Sequence, residues 1–576
     1  MKAKALQKIF LVFLLLLGST SLSLTMFKSG LIYSFGMGFW GPNGHDGIWH
    51  IALINQLSKF SFAHPLFYGR NLQNYHLGFD ILAAALHLLT RIPAITLYFQ
   101  ILPPIMAVSL GILTYVFVKK LTSSNVSAWW ATFFVYFGGS WGWLVSLIRT
   151  GKLGGESMFW ANQAISTMIN PPYALSLIVM LLGLIWAMKF FERKKLKDLI
   201  IASFLLGILI EIKVYAGVIV LFSLFGLMLF SFFRKRDRFL DLAKLFLGAL
   251  AVSLAVFLPL NSRSASLLVF SPFWFPRTML AFPDRLGWFK LENARLAYFQ
   301  SKNFFKWFLA EYLALSIFIF GNLGVRAIGF FQTFFLIKKL GKLKEIEILL
   351  LEMTAVSLIM PLLFIQKGNP WNTIQFFYYF QVFVGIFAGL SISWFLKIIE
   401  KKNKLGRLKF IILIILPLLT LPTTISTLIN DYLPARPPAM ISKEELKALD
   451  FLRGQPEGLV ITCPFDPNRR KEWKEPKPLY VYETTGYVSA LSAKQTFLED
   501  EMNLEISGYS WKERAKKVQD YFSGKSVLEI SSSDKPVYLY LPKKLLGNSN
   551  FFGKEETSIF ENEEIVIYKI EKENYF

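Results

Sequence analysis

Residues 9–26, 94–118, 242–260, 346–365, 374–395 and 410–429 are apolar runs, and that one feature leaves few folds open. Each approaches the roughly 20 residues that cross a hydrocarbon core as a helix. In lipid every backbone amide must be satisfied internally, so only helices and closed barrels span, and these runs do not alternate as barrel strands do. Composition agrees, since 18% of the 576 residues are charged, against roughly 25% in a soluble chain. The expected fold is an α-helical polytopic membrane protein with about 11–13 transmembrane helices.

The net charge of +23 invites a nucleic-acid partner, but its distribution excludes that reading. Lysines and arginines gather in knots between apolar runs: Lys2, Lys4 and Lys8; Lys119 and Lys120; Arg193 to Lys197; Arg234 to Arg238; Lys338 to Lys344; Lys401 to Arg407. Such knots mark cytoplasmic loops. They predict a multi-pass protein of the cytoplasmic membrane with its N-terminus inside and residues 28–75 as a first outer loop. The basic start and apolar run at 9–26 also fit a cleaved signal peptide. Because the run continues to Met26, a retained helix is the favoured expectation. Cys463 is the only cysteine, so no intramolecular disulfide is available.

Two stretches resist a simple count. Residues 77–89 are short for a span, and 199–233 lie between two basic knots, which predicts a hairpin with its apex near Glu211, Lys213 and Tyr215. A multi-spanning domain over 1–432 is expected to end at the Pro-rich 433–438, followed by an extracytoplasmic α+β domain over 433–576. Helical patterns at 442–453 and 510–522 alternate there with strand-like runs at 459–463, 479–482, 537–541 and 565–570.

The five histidines (His45, His50, His64, His76 and His87) all fall within 45–87. Histidine suits proton transfer or metal ligation near neutral pH. At the centre stands Gly41-Pro-Asn-Gly-His-Asp-Gly-Ile-Trp-His50, ahead of an amphipathic stretch at 48–60. Asp46 and His50, four apart, share a helix face and can abstract a proton or hold a cation. Asp46 would equally serve as a helix N-cap. Charges inside the membrane are costly and mark function, which singles out Glu211 and Lys213, with a structural ion pair as the alternative. Gln366-Lys-Gly-Asn-Pro-Trp-Asn-Thr-Ile-Gln375 offers Lys367, Trp371 and Gln375 to a sugar or phosphate, or is an interfacial loop; Arg263 lies in a similar loop. Gly138-Gly-Ser-Trp-Gly142 matches a hydrolase nucleophile pattern but lacks its strand–turn–helix setting, so a bent or close-packed helix is expected.

The acidic first loop, Tyr75-His-Leu-Gly-Phe-Asp80 entering an apolar segment, and Leu491-Ser-Ala-Lys-Gln-Thr-Phe497 in the C-terminal domain resemble the GT-C superfamily of membrane glycosyltransferases. Its protein mannosyltransferase and lipid A aminoarabinose transferase branches are the nearest in kind. The resemblance implies transfer of a sugar from a polyprenyl-phosphate donor to a lipid, glycan or protein acceptor at the outer face of the membrane. It places Asp46 as catalytic base or metal ligand; the residues themselves add His50 beside it, and His45, Tyr75, His76, Lys213, Arg263, Lys367, Trp371 and Gln375 as substrate-binding candidates, the family having no fixed motif for its phosphate-neutralising cations. A divalent cation (magnesium or manganese) is possible under that resemblance, although Gly47 stands where many members carry a second acid. A lipid or polysaccharide transporter, a scaffold, and a polysaccharide polymerase or ligase stay open as alternatives.

Overall fold

The computed structural model describes residues 2–235, 237–261, 268–401, 406–528, 530, 535–546 and 558–570. Nine of its described helices are long and apolar enough to cross a membrane. A bent pair, Asn125–Phe137 and Gly142–Thr150, makes a tenth if taken as one span. The chain is a multi-pass membrane protein. The count falls below the 11–13 expected because two apolar stretches form short helices, Gly78–Thr90 with 13 residues and Leu196–Gly207 with 12.

Backbone contacts divide the chain into two units. The first comprises Met1–Leu24, Pro104–Pro259 and Ala265–Leu433. Its central helix, Ile374–Lys401, packs on Asn125–Phe137, Glu345–Leu363 and Gly329–Lys338. Backbones meet closely there: a Cβ at Gly389 would stand 2.4 Å from the Ala131 amide nitrogen. The Gly138–Gly142 motif is a 48° bend between two helices. A Cβ at Gly142 would lie 1.9 Å from the Gly155 carbonyl oxygen, so its glycines serve packing, as expected. The expected break within 199–233 falls at Lys213, whose extended backbone (φ −157°, ψ 112°) separates Leu209–Ile212 from Val214–Phe233.

The second unit comprises Thr25–Pro103, Leu260–Ser264 and Pro434–Phe576. Its five-stranded sheet runs Ser558–Glu561, Ile565–Ile570, Val537–Pro542, Leu459–Thr462 and Gln495–Thr496, the last three mutually parallel. A smaller sheet joins Gly36–Phe39 to Ala439–Ile441 in antiparallel register, with Met37 opposite Ile441. Phe67 sits in the same apolar core as Leu459, Ile461, Leu539 and Val566. The first loop is therefore built into the C-terminal fold rather than lying loose. One expected strand is absent: Leu479–Tyr482 forms a helical turn after Pro478, a residue that cannot donate to a continuing ladder.

Candidate active site

Gly41–Gly44 makes one tight helical turn, and His45 then caps the helix Asp46–Leu57. The cap position belongs to His45, so Asp46 stands in the first turn, where a negative charge meets the positive end of the helix dipole. The helix is buried on nearly all sides, from Gly47 through Ile54, and not amphipathic as its sequence implied. Trp49 is likewise buried, against His64 and Tyr75.

His45 sits between two carboxylates. Its Nδ1 is 2.8 Å from Asp46 Oδ1, and its Nε2 is 3.3 Å from Asp500 Oδ1. Burial alone would push the imidazole down, but the charges of Asp500 and Asp46 outweigh it and hold His45 well above its ordinary 6.5. Both ring nitrogens then donate, as an imidazolium does. The Asp500 side chain is fully buried, whereas that of Asp46 is 53% exposed. Asp46 thus presents a half-exposed carboxylate beside a clamped imidazolium. Nearby Glu483 is pushed up by burial, with His45 opposing and Asp46 adding to the shift.

A second pair lies one helical turn on. His50 Nδ1 is 2.7 Å from Asp80 Oδ1, and the His50 ring stacks on Tyr98 with centroids 5.5 Å apart. Tyr75 and His76 stack on each other at 4.6 Å, completing an aromatic wall. His64 is pushed down to about 3 by burial and the Arg514 charge, and its Nδ1 accepts from the Leu66 amide, a structural role. His87 donates to the Ile92 carbonyl at the end of its helix.

The histidine pairing has a pH signature. Since His45 is held above 6.5 in the fold, its pairing stabilises fully below that value and is lost as pH rises through the higher folded value. The thermal midpoint of His45→Gln should trail wild type most near about pH 6 and converge with it at alkaline pH. A gap that widens with pH would contradict the pairing.

In the first unit, a chain of polar side chains surrounds Lys213. Its Nζ donates to Asn170 Oδ1 at 3.2 Å and lies 5.6 Å from the Tyr215 ring. Asn170 donates to Gln375, Gln375 to Asn372, and Asn372 to Gln366, which also accepts from the Tyr215 hydroxyl. Three helices begin at this cluster: Pro171–Arg193 capped by Asn170, Val214–Phe233 capped by Lys213, and Ile374–Lys401 one residue before Gln375. Helix starts carry partial positive charge, so amides, lysine and dipoles together suit an anion. Lys367 and Trp371 are exposed in the preceding turn and make no side-chain hydrogen bond among the described residues. Arg263 lies outside the described residues.

The fold has known counterparts. The archaeal oligosaccharyltransferase AglB from Archaeoglobus fulgidus, in complex with an inhibitory peptide and a dolichol-phosphate, superposes with TM-score 0.50 at 13% identity over 86% of this chain and 65% of that one. The Archaeoglobus fulgidus oligosaccharyltransferase tethered to an acceptor peptide gives 0.51 at 13% identity, covering 93% and 69%. The chain has the GT-C fold. ArnT from Cupriavidus metallidurans, in the apo state, aligns over 99% of this chain and 98% of its own at 10% identity and TM-score 0.47. This chain spans about 65% of the length of the first of these structures. No family model and no curated protein matches the sequence.

Within the GT-C fold, the position after Asp46 has a steric limit. A Cβ at Gly47 would meet Phe99 Cζ at 2.5 Å, so a second acid there would have to displace that ring. Among the described residues, no three His, Cys, Asp or Glu side chains converge to hold a metal ion. His45 already occupies the space between Asp46 and Asp500, and His50 is engaged with Asp80. Asp80, Asp500 and Tyr98 were missed as site residues. A signal existed for one of them: Glu499-Asp500-Glu501 is an acidic run inside a basic chain.

Proposed function

We propose that the chain transfers a sugar from a polyprenyl-phosphate-linked donor to an acceptor at the outer face of the cytoplasmic membrane. The observation that carries this reading is Asp46, a half-exposed carboxylate held by a buried His45–Asp500 pair in a GT-C fold. Asp46 takes the proton of the acceptor hydroxyl as that oxygen bonds to the anomeric carbon. The bond from that carbon to the phosphate oxygen breaks, and its electron pair leaves on a polyprenyl phosphate. Phosphate departs without an acid, so the demand is for charge stabilisation rather than protonation. The AglB structure was solved with dolichol-phosphate, which supports a donor of this class.

The divalent cation that the resemblance implies has no step in this scheme, because His45 supplies the positive charge beside Asp46. Transfer by the purified protein should proceed at about the same rate in EDTA as in added magnesium or manganese. A rate that collapses in EDTA and returns with one cation would overturn the metal-free scheme. The test of the function itself is labelled polyprenyl-phosphate sugar incubated with the protein and extracted membrane glycans. Label that crosses vesicles with no new glycosidic bond would make the chain a transporter.

The likeness to an oligosaccharyltransferase favours one second reading, a ligase that joins a preassembled oligosaccharide. Product length separates the two: one added sugar for the first, a block of several for the second.

A further inference from the structure

Three parallel strands of the second unit, Leu459–Thr462, Gln495–Thr496 and Val537–Pro542, end on the same side of their sheet. The carboxyl ends of parallel strands are where open α/β sheets place ligands. Beyond the end of the first of them lies a cavity of about 710 Å³, reached by Cys463 and bounded by the turn 464–469 and the helix Lys512–Phe522. That volume lies within the roughly 300–1,000 Å³ of small-molecule sites.

We infer that this cleft binds a run of sugar rings, and that the acceptor is a glycan. The inference rests on the glycosyltransferase reading and specifies its acceptor. Phe465, Tyr480, Trp511 and Phe522 are among the residues that line the cleft. Trp511 is fixed in orientation by its Nε1 donating to Glu505 at 2.7 Å. Rigid aromatic faces pack against the C–H face of a sugar at little entropic cost. Between them stand Asn468, Gln519 and the Tyr480 hydroxyl, which make no side-chain hydrogen bond among the described residues. Together they offer both donors and acceptors, as hydroxyl-rich rings require.

Placement ties the cleft to the chemistry. Glu501 and Thr484, whose hydroxyl donates to the Glu501 carboxylate, line both this cleft and the smaller pocket that contains Asp500. Asp500 in turn holds His45 against Asp46. The cleft and the smaller pocket therefore share a wall at Glu501 and Thr484. A peptide commonly binds by extending a sheet edge, and the edge at Gln495–Thr496 is already covered by Pro65–Tyr68. The Thr496 amide donates to Pro65 at 2.8 Å, and the Tyr68 amide donates to Thr496 at 3.1 Å.

The experiment uses fluorescently labelled full-length protein in detergent micelles, applied to an array of linear and branched oligosaccharides and a matching array of peptides. The expected result is retention on a subset of oligosaccharides, at least tenfold weaker for Trp511→Ala and for the surface substitution Asn468→Ala. Trp511 also packs on the domain core, so Asn468→Ala keeps the test sound should Trp511→Ala unfold. Retention on no saccharide, retention on peptides alone, or saccharide binding indifferent to both substitutions overturns the inference. Binding that responds to the substitutions while no sugar leaves a polyprenyl-phosphate donor would uphold the cleft and sink the donor reading. Sugar transfer with no binding in the cleft would do the reverse.

Discussion

Asp46→Asn should lower kcat by about 10²- to 10⁴-fold, the usual contribution of a positioned general base, with little change in KM or thermal midpoint. The substitution is chosen for shape. An asparagine oxygen can still accept from His45 Nδ1, so the 2.8 Å contact and the helix start both survive. What vanishes is the capacity to take a proton. Asp46→Ala should lose as much activity and also some stability, since His45 would lose the hydrogen bond from Nδ1 and keep the one to Asp500. The comparison separates base from scaffold. If Asp46→Asn transfers sugar at the wild-type rate, Asp46 is a packing residue and the mechanism must begin elsewhere. If both variants unfold equally, the carboxylate acts through His45 alone. The readout is label transferred per minute at saturating donor, alongside a melting curve in the same detergent.

How much of this was legible in the sequence depends on which force set each feature. The long spans were legible because lipid imposes a length: the runs at 94–118 and 346–365 became Ala94–Thr122 and Glu345–Leu363 with small shifts at their ends. The break at Lys213 was legible because a charge inside an apolar run needs a reason. Short apolar stretches were not, since hydropathy cannot tell a buried 13-residue helix such as Gly78–Thr90 from a truncated span. A change of composition near 433 was visible. That residues 25–103 fold with 434–576 was not, because Gly36–Phe39 pairing with Ala439–Ile441 is a contact across about four hundred residues that no local pattern encodes. The site divides the same way. Asp46 announced itself beside two histidines, whereas Asp500 reaches His45 across a separation of 455 positions and only the fold joins them.

Lys213→Met should cost about 10²- to 10³-fold in kcat/KM, the loss seen when one preorganised charge stabiliser is removed from a dry site, and Lys213→Arg should restore part of it. Methionine keeps the length and apolar stem of lysine, so the side chain still fills its space beside Tyr215 while the ammonium is gone. Lys213 is only 5% exposed, so its charge acts with little solvent screening. Lys367 provides the contrast. It stands exposed in its turn, where water and salt weaken its field, and Lys367→Ala should change kcat/KM by less than about threefold. The donor KM carries the decision. A phosphate lodged among Asn170, Lys213 and Gln375 predicts that Lys213→Met weakens donor use while leaving acceptor KM alone. If acceptor KM moves instead, the cluster holds the other substrate. If neither moves and the melting curve shifts, Lys213 is a structural lysine bound to Asn170, and the polyprenyl phosphate must find its counter-charge at another position of the helical unit.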